Sequence, residues 1–145
     1  MIKQNAKQEL IRLLPHWHYK VERSIRNQQK ARQISYETYF CLMTLKSYGQ
    51  MRMGELAKAL RLSKQQATHI VDSLYEHGLI ERKENPNDRR SIYIGVTELG
   101  VKFLEENALD ATALYEQMQQ KLSIEEIQEF ENAVHIMLKV LDKLE

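Results

Sequence analysis

Little in this chain can cross-link it or hold it in a membrane. A single cysteine in 145 residues rules out an intramolecular disulfide framework and fits a reducing cytoplasm, the expected compartment. No stretch of about 18 uncharged apolar residues occurs, so no membrane span is expected. The first residues, MIKQNAKQEL, lack the apolar segment of a secretory signal. Also missing are a glycine-rich phosphate loop, a nucleophile elbow and a dense His/Asp/Glu ligand cluster. These absences argue against an enzyme, and neither a metal nor a cofactor is expected. Low-complexity segments and internal repeats are absent as well.

What is present is ordinary in amount and uneven in placement. Apolar residues make up 43% of the chain and charged residues 28%, which suits a globular protein with a real core. The length fits one domain, or a small domain carrying extra oligomerisation helices. Net charge is only +1, yet residues 1–97 hold 17 Lys/Arg against 9 Asp/Glu, and residues 98–145 hold 4 against 11. Such asymmetry suggests a polyanionic partner for the basic part, although a solvated acidic helix face would give the same tail.

Helical periodicity dominates. Leu10, Leu14, Trp17, Val21 and Ile25 recur at steps of three and four, marking one apolar stripe over roughly 5–31. Pro15 interrupts it, which predicts a kink or a restarted helix. Ser35 suits an N-cap for the next helix, with Tyr39, Leu42, Met43 and Leu45 toward the core and Gly49 as its stop. A short helix over Glu55–Leu60 follows, then a turn at Arg61-Leu62. Ser63 and Gln66 form a capping box for a further helix whose Ala67, Ile70, Val71 and Leu74 face inward, and Gly78 ends it.

Leu79–Lys83 and Ile92–Val96 alternate as two strands around the turn Asn85-Pro86-Asn87-Asp88. Beyond Thr97, a helix cap, Val101, Leu104, Ala108, Ala111, Tyr115, Met118 and Leu122 keep an alternating spacing of three and four. Ser123 and Glu126 box a last helix with a similar stripe from Ile124 to Leu144. Together with the first helix this exposes more apolar stripe than a small domain could cover. Pairing of two copies is therefore expected, with an intramolecular helical hairpin as the alternative.

The central order is a short helix, a turn, a helix with a polar N-terminal face, and a basic hairpin. A winged helix-turn-helix uses that order to place one helix in the DNA major groove and an arginine in the minor groove. The expected fold is mainly α with a small β-hairpin wing. Residues 35–97 would form the DNA-binding lobe, and residues 1–34 and 98–145 the helical dimerisation region. Ser63, Lys64, Gln65, Gln66, Thr68, His69 and Asp72 supply the polar face. Glutamine pairs with adenine edges and lysine with guanine or phosphate, which makes Lys64 and Gln65 the leading candidates for base contact. Arg89 and Arg90 lie at the hairpin tip, where a narrow minor groove would attract them. Asp88 repels phosphate and is expected to hold an arginine in one rotamer. Arg82 and Lys83, on the first strand, would contact phosphate.

The run Asn85-Pro86-Asn87-Asp88-Arg89-Arg90-Ser91, followed by Val96-Thr97-Glu98-Leu99-Gly100, resembles the wing pattern of the multiple-antibiotic-resistance regulator (MarR) family of bacterial transcription factors. Met53–Ala57 and Leu74–Ile80 are similar to the family's helix-turn-helix pattern. The resemblance covers nearly the whole chain. It implies a homodimer with interlocked first and last helices that binds double-stranded DNA, most often as a repressor, on a pseudo-palindromic operator. It also implies that Arg90 is the minor-groove arginine and Asp88 its anchor. His69 departs from the family, which often has arginine there, so less charge is available at that position.

The resemblance further implies an effector, a small aromatic or phenolic acid, and Trp17, His18, Tyr36, Tyr39 and Phe40 are the aromatic set that could receive it. Such clusters also serve as plain core. Cys41 lies between Phe40 and Leu42 without a resolving cysteine, the setting of a buried, inert thiol. His16 and His18 are two apart and point in different directions, so zinc would need ligands from elsewhere. A metal- or redox-responsive regulator, and a winged module used only for protein contacts, remain the alternative readings.

Overall fold

The computed structural model describes residues 4–28 and 34–144. These residues form helices α1 (Gln4–His16), α2 (Arg23–Gln28), α3 (Tyr36–Tyr48), α4 (Met53–Leu60), α5 (Lys64–Glu76), α6 (Glu98–Glu106), α7 (Thr112–Lys121) and α8 (Ile124–Leu141). Strands β1 (Met51–Arg52), β2 (Ile80–Asn85) and β3 (Asp88–Val96) form one antiparallel sheet in the order β1-β3-β2. The fold is mainly helical with a small wing, as the periodicity predicts. The chain divides into two compact units, Gln28–Leu109 and a helical unit of Met1–Asn27 with Asp110–Glu145. The first unit extends further than the expected lobe of 35–97, because α6 packs on α3.

The core lies in that first unit. Leu42, Leu45, Leu56, Val71, Leu74, Leu79, Ile80, Ile94 and Leu104 are buried together with Tyr39 and Cys41. Met43, expected inside, is 42% exposed, and Cys41 takes its place in the cluster. The caps form where the sequence puts them. Ser35 Oγ accepts the Thr38 N–H, and Ser63 and Ser123 exchange hydrogen bonds with Gln66 and Glu126. Such caps satisfy the orphan donors of a first helical turn.

Three expectations need correction. The first helix runs through Pro15 and then widens into a π-helical segment, Trp17–Glu22, instead of restarting. Proline removes a backbone donor and crowds the turn before it, yet α1 continues through it, and the wider turns lie beyond it. Its continuation to residue 31 lies outside the described residues. The hairpin has a third strand, since Met51 and Arg52 pair with Ile94 and Tyr93. A two-residue strand is too short to show alternation in a sequence.

The stripe beyond Thr97 is also split, between α6 and α7. Asn107 turns its Nδ2 back to the Phe103 carbonyl and caps α6, while Asp110 Oδ1 accepts the Thr112 N–H and opens α7. These short polar side chains compete with the helical ladder, and the apolar spacing continues across the break by register alone.

One junction joins the wing to the helices on either side of it. Gly78 adopts a left-handed conformation, φ 71°, just past α5. Thr97 Oγ1 donates to the Gly78 carbonyl at 2.7 Å and accepts the Gly100 N–H at 3.1 Å. The Thr97 N–H donates to the Leu79 carbonyl at 3.1 Å. Gly100 is therefore pressed against the backbone. A Cβ there would collide with the Leu79 carbonyl oxygen and approach Val96 Cγ2 to 2.6 Å. Gly100→Ala should cost about 1–3 kcal/mol of stability, as overpacking against a backbone atom does, and chemical denaturation measures it. An unchanged midpoint would mean that α6 is not seated this closely.

Candidate nucleic-acid interface

Helix α5 begins with its polar residues sorted into two roles. Ser63 and Gln66 are spent on capping: Ser63 Oγ accepts the Gln66 N–H at 3.1 Å and Gln66 Oε1 accepts the Ser63 N–H at 3.0 Å. The Thr68 hydroxyl donates to the Lys64 carbonyl at 2.7 Å and keeps only its acceptor capacity. Lys64, Gln65 and His69 stand exposed on the same helix with their side-chain donors unspent.

The wing tip is built by two Asx turns. Asn85 Oδ1 accepts the Asn87 N–H, and Asp88 Oδ1 accepts the Arg90 N–H, each at 3.0 Å. Asp88 thus holds the backbone at Arg90, not an arginine rotamer as expected. An Asx turn needs only the local chain, so the acid is satisfied without a guanidinium. Pairing steps from Glu84↔Ile92 to Asn85↔Asp88, which leaves Arg89, Arg90 and Ser91 bulged on one strand. A bulge re-aims side chains, and here both arginines are exposed at the end of the hairpin.

Further down the wing, Lys83 pairs with Glu81 at 3.1 Å. Arg82 bonds Asp72 on α5, and its guanidinium lies 4.6 Å from the centre of the Tyr75 ring. Arg52, which the sequence does not single out, donates to Tyr93 Oη at 3.3 Å across β1 and β3. The neighbouring Tyr93 hydroxyl holds that guanidinium in its charged form, raising its pKa further. Only the existence of β1, which places Arg52 opposite Tyr93, reveals it. Arg52, Lys64, Thr68, Asp72, Arg82 and Arg90 line one open cleft of about 550 Å³ between α5 and the wing. Four cations face two carboxylates, Asp72 and Asp88, and each carboxylate is already hydrogen-bonded. The cleft can receive a polyanion.

The sequence model of the MarR family matches residues 34–92, the span that holds most of the core, α5 and most of the wing. The chain is 33% identical over 138 residues to the transcriptional repressor MprA of Escherichia coli K12, covering 94% of this chain and 78% of that protein. The chain belongs to the MarR family. It is also 30% identical over 106 residues to the HTH-type transcriptional repressor MdtR of Bacillus subtilis, covering 73% of this chain and 66% of that one. Apo wild-type MarR of E. coli has the same fold, with a TM-score of 0.71 at 22% identity over 95% of this chain and 98% of that one. A mutant E. coli MarR solved with operator DNA scores 0.59 at 23% identity, over 95% of this chain and 99% of the other. A MarR protein is a transcriptional regulator and not an enzyme.

The aromatic set expected for an effector is divided. Trp17 and His18 belong to the helical unit, while Tyr36, Tyr39 and Phe40 lie on α3 in the other. Tyr39 is a core residue whose hydroxyl accepts the Leu109 N–H at 3.1 Å. Tyr36 and Phe40 stack on each other, 5.7 Å between centres. Among the described residues no helix is long and apolar enough to cross a membrane, and no group of three His, Cys, Asp or Glu could hold a metal ion.

Cys41 is fully buried, and loss of solvation pushes its thiol up to about 12. The reactive form of cysteine is the thiolate, which this site disfavours. A thiol-specific reagent at pH 8 should therefore leave the native protein unmodified and label it fully in denaturant, as mass spectrometry reads. Because the folded value is raised, the contribution to stability is complete below the unfolded thiol's value of about 8.5 and is lost as pH rises toward 12. Rapid native labelling at pH 8 would overturn the inert assignment.

Proposed function

We propose that this chain is a DNA-binding transcriptional repressor acting as a homodimer on a pseudo-palindromic operator. The observation that carries the reading is the shared cleft, where Lys64 at the head of α5 and Arg90 at the wing tip face the same space. A helix N-terminus presents residues to base edges in a major groove, and a tip arginine reaches the flanking minor groove. In this arrangement Lys64, Gln65 and His69 read or approach bases, and Arg89 and Arg90 enter the minor groove. Lys83 adds positive charge near phosphate, partly offset by Glu81. The two repressors named above and the operator-bound MarR structure support the same reading.

The helical unit supports the dimer. Helix α8 has no buried residue, and Leu138, Val140 and Leu141 are each more than half exposed, as are Leu10, Ile11 and Leu14 on α1. Apolar surface of that extent is costly in water, and a second copy of the same helices covers it by interlocking. Two lobes related by a two-fold axis then read half-sites about 34–36 Å apart. An aromatic effector that releases the DNA finds its apolar wall on the exposed side of the Tyr36–Phe40 stack, since the Tyr39 ring is in the core.

Binding to fragments selected from genomic DNA, followed by fluorescence anisotropy over a salt series, tests the proposal. Sedimentation should give twice the 17.2 kDa chain mass. Arg90→Ala should weaken binding about tenfold and lower the salt slope by about one, the mark of one lost cation–phosphate contact. No binding of the wild-type protein even at low salt would favour a winged module used for protein contacts.

A further inference from the structure

Arg82 projects from the first wing strand, where a phosphate contact is the ordinary expectation, yet its charge is committed to the recognition helix. Its guanidinium bonds the Asp72 carboxylate and lies over the Tyr75 ring at 4.6 Å. Asp72 and Tyr75 are three residues apart on α5 and so share one helix face. The guanidinium is held by two groups of one helix, the carboxylate and the aromatic ring. That combination uses two properties of arginine that lysine lacks.

The hairpin needs such a contact. From Arg82 to Glu84 and from Pro86 to Arg90 the wing is exposed, without core residues to fix its angle. At its root the junction of Thr97 with Gly78 and Leu79 fixes where the strands begin, but a hinge there would still let the tip swing. The Arg82 contact lies beyond that root and connects the wing directly to α5, ten residues back along the chain from Arg82 to Asp72.

We propose that Arg82 is a positioning residue that, through Asp72 and Tyr75, sets the angle between the wing and the recognition helix, and is not a phosphate ligand. Resting on the DNA-binding reading above, this assigns how one protein lobe keeps major-groove and minor-groove contacts in register. Asp72, an acid on a surface that meets a polyanion, then has a reason to be there. The Coulombic repulsion it adds is offset by the fixed geometry it provides.

The two roles predict opposite results for Asp72→Asn. If Arg82 were a phosphate ligand, removing the acid would free it and tighten binding, and Arg82→Gln would lower the salt slope by about one. As a lock, Asp72→Asn and Arg82→Gln should each weaken binding to a genomic fragment selected by the wild-type protein, by about three- to tenfold. The double variant should be no worse than either single one, the salt slope should stay unchanged, and an unrelated duplex of equal length should be bound as before. Thermal unfolding run alongside checks the fold, and Tyr75→Leu replaces Asp72→Asn if that variant unfolds. Backbone ¹⁵N relaxation without DNA provides a readout that does not depend on DNA binding: both variants should lower the order of Arg89–Ser91. Tighter binding by Asp72→Asn, additive losses, or unchanged wing order would overturn the lock. Failure of the wild type to select any fragment would count against DNA binding, leaving the relaxation result to judge the lock.

Discussion

The hydrogen bonds of Thr97 are the constraint on which the rest of the DNA-binding unit depends. Its hydroxyl binds the Gly78 carbonyl, where α5 has just ended, and receives the Gly100 N–H, where α6 has just begun. The return strand of the wing therefore finishes against the exit of the recognition helix. Three properties meet there: the left-handed freedom of Gly78, the capping oxygen of a threonine, and the missing Cβ of Gly100. Each hydrogen bond is worth only about 1 kcal/mol net. Their effect is large because they all fix the same short piece of backbone.

From that root outward, polar contacts replace core packing. Leu79, Ile80 and Ile94 are buried, whereas the strands beyond them depend on Arg52 with Tyr93, Arg82 with Asp72 and Tyr75, and Asx turns at the tip. Exposed ion pairs add little to stability, so these contacts are better understood as geometry than as cohesion. Unspent cations at Lys64 and Arg90 line one cleft between α5 and the wing, which is what an interface for a polyanion requires. In the helical unit the division is reversed, with apolar side chains exposed along α1 and α8.

Much of this was legible in the residues themselves. The capping boxes at Ser63 and Ser123, the stop at Gly78 and the turn at Asn85–Asp88 all use local chemistry, and local chemistry survives folding unchanged. Contacts between distant segments were not legible. Met51 and Arg52 form a strand only because Ile94 and Tyr93 pair with them, and Arg82 meets Asp72 only because the fold brings β2 beside α5. The split between α6 and α7 was hidden for a third reason. Apolar spacing carried on through it, while Asn107 and Asp110 ended one helix and began another by hydrogen bonds that hydrophobic periodicity does not register.

The central claim is that α5 and the wing tip occupy adjacent grooves of one DNA duplex. Dimethyl sulfate footprinting tests it most directly, since that reagent methylates guanine N7 in the major groove and adenine N3 in the minor groove. On a fragment bound by the wild-type protein, N7 protection should mark the centre of each half-site and N3 protection the flanking minor groove. The two half-sites should lie about 10 base pairs apart, one turn of DNA. Binding that leaves both N7 and N3 fully reactive, or that protects a single groove only, would contradict the account.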